Sequence, residues 1–329
     1  MKVVFDGTCL ADRPLTGVGV AFLSGLRAYL PLARGPVVLL LPAGAEDPRL
    51  QGVEVLPAPR GGLRRQLQLP GLLRRIGADL LHSPVAAVPL AAPCPTIATV
   101  HDLPWLAGEP IDGRGVWRRL ATRLSLRAAT AVLAPSLPTM HGAPLFGAHA
   151  DEVFRVPHGV LPPDAPAALE HLTGPFLVLG DDRPRKNRQR VRAAHARARQ
   201  QRPQLPELRF VGPPDAYVDE ADKWRILRQS RALVHCSLFE GFGLPVLEAM
   251  AHGVPVLCSD LPVLREVAEL GALFVDPHDV EAIAAALLRI DTDLELRTTL
   301  RAHGLARAAK LTPHATARLW LAIHERVRR

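Results

Sequence analysis

Two glutamates that enclose a glycine-rich turn are the residues of this sequence best suited to chemistry. Glu240 and Glu248 bracket residues 241–247, whose sequence is GFGLPVL. A carboxylate accepts two hydrogen bonds side by side, as vicinal hydroxyl groups present them, and it stabilises positive charge that grows on a bound substrate. The pair therefore points to a hydroxylated ligand held beside a carboxylate.

The elements around this pair are a predicted strand and a predicted helix. Residues 232–239 form an apolar run of strand length, and residues 245–251 have a helical pattern that Gly253 closes. At the carboxyl end of a strand in an open α/β sheet, such a turn is the usual place for a ligand. Gly241 and Gly243 let a ligand approach the backbone closely, and the proline after them suits the start of a helix.

The same turn predicts an anion site. The amides near Gly243 and Leu244 are expected to face outward at the positive end of the helix dipole. Glu248, three residues after Pro245, is expected in the first turn of the helix, where capping is the alternative explanation of a carboxylate. Glu240 is expected at the end of the strand, where local amides are the alternative partners.

Apolar runs alternate with amphipathic, arginine-rich segments along the chain, as is typical of βα units on a parallel sheet in an α/β fold. The strand-like runs form two series, residues 3–5, 37–41, 80–82, 96–100 and 131–133, and residues 176–179, 208–211, 232–239, 254–258 and 273–275. The proline-rich segment 157–166 lies between them and is the predicted linker. We therefore divide the chain into domains 1–160 and 161–312 and a C-terminal helix in 313–329.

Composition sets the class of protein. The 329 residues are 48% hydrophobic, with a mean hydropathy of +0.11, which is enough apolar surface for two domains. The net charge is +8, but only four of the 40 basic residues are lysines, and the arginines recur along the chain instead of forming one tract. Aromatic residues, which stack on single-stranded nucleic acids, make up 5%. We therefore expect no nucleic-acid partner and attribute the arginine excess to a GC-rich coding bias.

The cysteines and the apolar runs argue against three further classes. Cys9, Cys94, Cys236 and Cys258 are far apart, and none lies in a CxxC or CxxH spacing, so neither a disulfide framework nor a metal site is expected. Residues 1–5 are strand-like, with no basic leader before an apolar core, and the longest apolar runs are shorter than a bilayer span. These observations predict a cytoplasmic protein.

Five segments, in the same order along the chain, resemble the retaining glycosyltransferases of family 4, which include bacterial mannosyl-, glucosyl- and rhamnosyltransferases. They are residues 13–19 (RPLTGVG), 100–103 (VHDL), 156–160 (VPHGV), 184–187 (PRKN) and 237–256 (SLFEGFGLPVLEAMAHGVPV). The last segment is the most specific, and the likeness covers nearly the whole chain.

This resemblance implies the GT-B fold, in which two Rossmann-like parallel-sheet domains face a cleft and the C-terminal helix crosses back to the first domain. It implies retaining transfer of a hexose from a nucleotide-diphosphate sugar to a glycan, lipid-linked or small-molecule acceptor in polysaccharide biosynthesis. The donor would bind mainly to the second domain and the acceptor to the first. Neither a metal nor a cofactor besides the donor substrate is implied.

The resemblance also implies roles for individual residues. Glu240 would contact the donor sugar and support an oxocarbenium-like transition state, and Glu248 would bind the nucleotide ribose. His101 would reach the donor sugar or the acceptor, with packing at a strand end as the alternative. A front-face displacement and a covalent intermediate both stay open as mechanisms.

A cation for the leaving diphosphate is expected after the strand at residues 176–179. Lys186 is the only lysine between Lys2 and Lys223 in a chain that otherwise uses arginine. A lysine offers a point charge where an arginine offers a fork, which favours contact of Lys186 with a diphosphate.

The second cation of this site is less directly indicated. In many relatives an arginine directly follows the strand glycine, whereas in this chain Asp181 occupies that place. Arg183 or Arg185 is the expected substitute, and a solvated surface position is the alternative for Arg185. The other donor-binding residues that the resemblance implies are Gly17, Gly19, Gly212, Val218, Phe242, Gly243 and Leu244.

Two arginine-rich stretches, residues 63–75 and 117–127, carry apolar side chains at helical spacing. They fit an anionic membrane that holds a lipid-linked acceptor, or surface helices whose leucines face the core. Peripheral contact with the inner face of a membrane therefore stays open. The alternative function is a non-catalytic nucleotide-sugar-binding partner subunit, whereas sugar phosphorolysis would require a longer chain and a pyridoxal-phosphate lysine.

Overall fold

A computed structural model describes residues 1–12, 15–59, 62–107, 113–215 and 218–328 of the protein. Contacts between Cα atoms divide the chain into two compact units, one of Met1–Gly159 with Pro313–Arg329 and the other of Val160–Thr312. The first two residues of the predicted motif 13–19 lie outside the described residues. Each unit contains one parallel sheet.

Strands and helices alternate in both units. The strands are β1 (Val3–Asp6), β2 (Val37–Pro42), β3 (Val53–Ala58), β4 (Leu80–Ser83), β5 (Thr96–Thr99), β6 (Ala131–Ala134), β7 (Val153–Arg155), β8 (Phe176–Leu179), β9 (Leu208–Val211), β10 (Ala232–His235), β11 (Val256–Ser259) and β12 (Leu273–Val275). The helices are α1 (Gly17–Tyr29), α2 (Gly62–Ile76), α3 (Gly113–Ala128), α4 (Leu137–Gly142), α5 (Arg188–Gln201), α6 (Glu220–Gln229), α7 (Leu244–Ala251), α8 (Pro262–Ala268), α9 (Val280–Thr292), α10 (Leu294–Ala308) and α11 (Pro313–Val327).

The strand order places the loops that matter next to one another. Over the described residues the first sheet has the order β3-β2-β1-β4-β5-β6-β7 and the second β12-β11-β10-β8-β9. Since β10, β8 and β9 are parallel neighbours, the loops that follow them lie side by side at the carboxyl-terminal end of the strands of the second sheet. These loops carry Glu240, Lys186 and Gly212. None of the described helices is both long and apolar enough to cross a membrane.

Most of the apolar runs that were predicted as strands form the central strands, whose side chains are buried on both faces of the sheet. All four residues of β8 are buried, and its bounds match the prediction. Strands β3 and β7 were not predicted. They lie at the two edges of the first sheet, where β3 carries Glu54 and Pro57 and β7 has only three residues. Edge strands are half-covered, so their sequences lack the continuous apolar run that identified the central strands.

A buried row of hydrogen-bonded rings fastens α11 to the first unit. Tyr29 of α1 shares a hydrogen bond of 3.0 Å with Nδ1 of His324, and Nε2 of His324 shares one of 2.9 Å with Nδ1 of His82 on β4. Trp320 packs edge-on against the His82 ring. Burial lowers the pKa of His324 to about 3 and holds the pKa of His82 well below its ordinary value, so both rings are neutral at neutral pH.

We expect the protein to lose stability as the pH falls below 6.5. The unfolded His324 takes up a proton near the ordinary value of 6.5, whereas the folded ring does so only near pH 3, so the unfolded state binds more protons in this window. For this histidine alone the loss at pH 5 relative to pH 8 is about 2 kcal/mol. Urea unfolding at both pH values measures it. His324→Gln should reduce the loss and His314→Gln, exposed on the same helix, should not; equal losses in all three proteins would contradict the assignment.

Candidate active site

Glu240 lies in the loop after β10, and basic groups surround its carboxylate. Lys186 Nζ donates to Glu240 Oε1 at 2.6 Å, and an Nη atom of Arg185 lies 3.6 Å from Oε2. His235 Nε2 lies 3.0 Å from Oε1. The Glu240 side chain is 9% exposed, so the charges of Lys186 and Arg185 act on it across little water. Two loops from neighbouring strands therefore converge on one carboxylate.

The charge of this carboxylate is fixed by its surroundings. Burial disfavours the ionised form, but His235 and Lys186 outweigh burial and hold the pKa of Glu240 well below its ordinary value. Glu240 is therefore ionised across the physiological pH range. Such a group is a poor proton donor. It is well suited to accept hydrogen bonds from hydroxyl groups or to stabilise a positive charge on a nearby ring.

The chain leaves the second sheet earlier than predicted. β10 ends four residues before the end of the predicted strand 232–239. Beyond it, the Cys236 carbonyl accepts a hydrogen bond from Asn187 Nδ2 at 2.9 Å, and the Ser237 carbonyl accepts one from Ser259 Oγ at 2.5 Å. Because side chains take the place of a neighbouring strand, Glu240 lies in a loop and not at the strand end that we predicted.

The loop after β8 separates its two arginines. Arg183 turns back to Asp181, with Nε donating to Oδ2 at 2.8 Å and an Nη atom 2.6 Å from the same oxygen, and its side chain is 61% exposed. The Arg185 side chain is 14% exposed, donates to the Phe239 carbonyl at 3.2 Å and approaches Glu240. Of the two predicted substitutes, Arg185 is therefore the one beside the carboxylate.

α7 begins at Leu244, one residue before the predicted start. Gly243 precedes it with a φ of +98°, and a side chain there would come within 2.5 Å of Leu264 Cδ2. Within the described ranges the amides of Gly243 and Leu244 make no hydrogen bond, as an anion site at a helix N-terminus requires. The earlier start makes Glu248 the fifth helical residue, so our prediction of a first-turn position is wrong.

Glu248 is buried beside a lysine of α6. Lys223 Nζ donates to Glu248 Oε1 at 3.1 Å and lies 3.8 Å from the centre of the Trp224 ring. Trp224 in turn stacks on His252, with the ring centres 4.6 Å apart. Burial raises the pKa of the Glu248 carboxyl, and Lys223 opposes this rise.

The remaining predicted residues of the second unit lie in the segments that follow β9 and β10. Gly212 follows β9 with a φ of +128°, and a Cβ there would come within 2.3 Å of the Gly180 carbonyl oxygen, so the loops after β8 and β9 touch through their backbones. Val218 packs against the core of this unit. The Phe242 side chain is buried in that core and is therefore not presented to a ligand.

His101 lies in the first unit, after β5, and both of its ring nitrogens have partners. Its Nε2 lies 2.6 Å from the Pro84 carbonyl, which can only accept, so Nε2 is the donor and Nδ1 accepts from His158 Nε2 at 3.1 Å. Burial lowers the pKa of His101, and it lowers the pKa of His158 to about 3. A ligand of His101 must displace one of these partners.

Gly17 and Gly19, two of the donor-binding residues that the resemblance implies, lie in the first turn of α1. Thr16 is the residue that precedes the helix, in an extended conformation. A side chain at Gly19 would come within 2.8 Å of the Cys9 carbonyl oxygen, so the glycine permits close packing of this turn. The amides of such a turn point along the helix axis away from its body, as they do at α7.

Sequence reasoning missed two basic residues beside the glutamates, His235 and Lys223. His235 is a basic side chain inside an apolar strand-like run five residues before Glu240, and that position was a usable signal. Lys223 shares the rarity that marked Lys186. Among the described residues, no group of three or more His, Cys, Asp or Glu side chains is placed to hold a metal ion.

Comparisons with known proteins agree on one family. The family model for Glycosyl transferases group 1 matches residues 215–307, and that for Glycosyltransferase Family 4 matches residues 26–162. Each match lies almost wholly within one unit and covers most of it.

Curated relatives match over shorter stretches. O-antigen chain mannosyltransferase B of Escherichia coli is 41% identical over 105 residues, which are 32% of this chain and 26% of that protein. O-antigen chain mannosyltransferase RfbU of Salmonella typhimurium is 48% identical over 60 residues, 18% of this chain and 17% of that one. The matched stretches thus span about a quarter or less of these relatives.

Solved structures match over the full length. Sucrose-phosphate synthase from Thermosynechococcus elongatus has a TM-score of 0.76 at 17% identity and covers 99% of this chain and 98% of its own. HepE of Anabaena, in complex with UDP and glucose, has a TM-score of 0.69 at 18% identity and covers 98% of both chains. At such identities the likeness concerns the fold, and it confirms the predicted GT-B class.

Proposed function

The chain belongs to the family 4 glycosyltransferases, and from this premise we propose that it transfers a hexose from a nucleotide-diphosphate sugar to a glycan or lipid-linked acceptor, with retention at the anomeric carbon. The observation that carries the proposal is the convergence of Lys186 and Arg185 on Glu240, close in the chain to the amides of Gly243 and Leu244, which have no hydrogen-bond partner among the described residues. Mannose is the favoured sugar, because the two curated relatives described above are named mannosyltransferases.

The chemistry divides between these groups. When the sugar–phosphate bond breaks, negative charge grows on the leaving diphosphate and positive charge on the sugar ring. Lys186, Arg185 and the two amides are the donors for the diphosphate, and Glu240 is the partner for the ring. Entry of a diphosphate would draw Lys186 away from Glu240 and release the carboxylate toward the sugar. Glu248 is assigned to the ribose.

A ligand panel tests this proposal. Thermal unfolding is followed with UDP, GDP, ADP and their glucose and mannose derivatives, since a ligand that binds only the native state raises the unfolding temperature by mass action. We expect one nucleotide to stabilise the protein and its sugar derivative to be consumed when acceptor is added. Tight binding without consumption favours the alternative of a non-catalytic partner subunit. No stabilisation by any nucleotide would refute both.

We also propose that transfer needs no divalent metal, because protein cations can take up the charge of the leaving diphosphate. Rates should be equal with and without a chelator. An activity that a chelator abolishes and Mg²⁺ or Mn²⁺ restores would contradict this. NMR of the early product tests retention, since product and donor must have the same anomeric configuration, which the one-bond C1–H1 coupling reports for mannose as well as for glucose.

An exposed apolar and basic face of the first unit fits a membrane-bound acceptor. Seven of the 13 exposed large hydrophobic residues in the described ranges lie on it, and they include Trp117 at 73%: Leu63, Leu67, Leu90, Val116, Trp117, Leu120 and Leu124. We call them the α2–α3 face. Gln66 of α2 bonds to the Val88 carbonyl, and the Val88 amide bonds to Ser125 of α3, so the two helices lie on one side of the sheet.

The positive charge of the α2–α3 face indicates an anionic partner. Neither α2 nor α3 contains an acidic residue, and α3 exposes Arg118, Arg119 and Arg123 beside its apolar side chains. Exposed tryptophan and leucine flanked only by arginine suit the interface of an anionic bilayer. We therefore propose peripheral binding to anionic lipid as the way in which a lipid-linked acceptor is reached.

Vesicle flotation measures this binding. We expect the protein to float with phosphatidylglycerol-containing vesicles and not with phosphatidylcholine alone. Trp117→Ser combined with Leu120→Ser should weaken binding about thirtyfold, since each removed side chain loses on the order of 1 kcal/mol of burial. The control pair, Leu270→Ser with Leu294→Ser, removes exposed leucines of the other unit. Equal loss in both pairs, or a dimer formed through the α2–α3 face, would overturn the proposal.

A further inference from the structure

We infer that Lys223 is a positioning residue for the nucleotide ribose: it holds the Glu248 carboxylate in place and leaves its second oxygen to accept from the ribose hydroxyls. This inference rests on the proposed function, because it needs a nucleotide at Glu248. It assigns a role in donor recognition to α6, none of whose residues was predicted to bind the donor.

The geometry around Lys223 fixes its ammonium group from two sides. One side faces Glu248 Oε1 at 3.1 Å, and the other lies 3.8 Å from the centre of the Trp224 ring. Trp224 is itself held by its stack on His252, at the end of the helix that carries Glu248. A lysine held between a carboxylate and an aromatic face has little rotational freedom left, so its hydrogen bond also fixes the carboxylate.

The carboxylate needs this support because it is buried. In the portion of the chain that the structure describes, Lys223 is the only cation paired with Glu248. Glu220, on the same helix as Lys223, also acts on the Glu248 carboxyl and disfavours its ionisation. Without the ammonium group, this buried carboxylate would lose its negative charge or its orientation.

Because Lys223 occupies Oε1 of Glu248, Oε2 is the oxygen left to accept from a ligand. Lys223 binds Oε1 from α6 and thereby sets the plane of the carboxylate, which leaves the two lone pairs of Oε2 to accept from the vicinal hydroxyl groups. Lys223 would therefore act through Glu248 and need not touch the nucleotide. Its loss should remove the preference for a ribose that carries both hydroxyls, while contacts with the diphosphate persist.

The test compares nucleotides with and without these hydroxyls. Dissociation constants are measured by calorimetry for UDP, GDP and ADP and for their 2′,3′-dideoxy counterparts. The native protein should prefer the hydroxylated form of its nucleotide by about tenfold or more, because loss of the hydroxyls leaves the second oxygen of a buried carboxylate without a partner. Lys223→Met should reduce this preference below about threefold, and Lys223→Arg should restore part of it.

Lys310→Met is the matched control, since Lys310 is an exposed lysine of the same unit. It should keep the native preference. A Lys223→Met protein that folds and keeps the native preference overturns the inference while the proposed function stands. If that variant does not fold, Lys223→Gln is measured in its place, and the same two outcomes decide. A native protein that binds none of the three nucleotides overturns both the inference and the proposed function.

Discussion

The Glu240→Gln variant is expected to bind the nucleotide-sugar donor and to transfer its sugar at least about a hundredfold more slowly, a loss of about 2.7 kcal/mol in transition-state stabilisation. Glutamine keeps the size of the side chain and one acceptor oxygen, but it removes the charge. In the resting protein that charge faces Lys186 and His235. During transfer it would face the sugar ring, where positive charge is greatest in the transition state.

The measurement separates binding from chemistry. Donor affinity is taken from thermal shifts, and kcat is taken at saturating donor and acceptor, so that an interaction made only in the transition state appears in kcat. Glu170→Gln, an exposed glutamate of the same unit, is the control and should behave as the native protein. A kcat of the Glu240→Gln enzyme within about threefold of the native value would show that Glu240 has no role in the chemical step.

Arg185→Ala should reduce kcat/KM by about thirtyfold, whereas Arg183→Ala should change it by less than about twofold. The two arginines lie two residues apart in one loop, so they form a natural matched pair. Arg185 is largely buried beside Glu240, where a charge is weakly screened. Arg183 is held by Asp181 in an exposed ion pair, which contributes little to stability.

The comparison between these two variants is the decisive measurement. Equal losses in Arg183→Ala and Arg185→Ala would mean that Arg183 leaves Asp181 when the donor binds. Arg185→Lys should recover part of the activity, because it keeps the charge and loses the second donor of the fork. An Arg185→Ala variant with unchanged kcat/KM would leave Lys186 and the amides of α7 as the diphosphate ligands.

The sequence allowed the turn between the glutamates to be predicted because its determinants are local. An apolar run, two glycines and a proline define a strand, a turn and a helix over some 20 residues. The exact limits were missed because their determinants are distant. The carbonyls of Cys236 and Ser237 leave the sheet since Asn187 and Ser259 bind them, and neither partner is visible in the local pattern.

Side-chain direction explains the rest of what the sequence left open. Arg183 and Arg185 have equal chemistry and nearly equal positions, and only the backbone of the loop decides which of them faces Glu240. Lys223 reaches Glu248 across 25 residues of chain. Such pairs depend on how α6 packs on α7, and periodicity carries no information about that packing. The roles of these residues in catalysis stay predictions.

The scarcity of lysine gives this protein a built-in chemical footprint. Of its four ε-amino groups, those of Lys186 and Lys223 each contact one of the two glutamates, that of Lys2 bonds to the Ile76 carbonyl, and Lys310 is exposed. Acylating reagents label amines and leave guanidinium groups unmodified, so the many surface arginines are not labelled. Mass spectrometry of labelled peptides can then follow donor occupancy at two amines, with the exposed Lys310 as the internal standard.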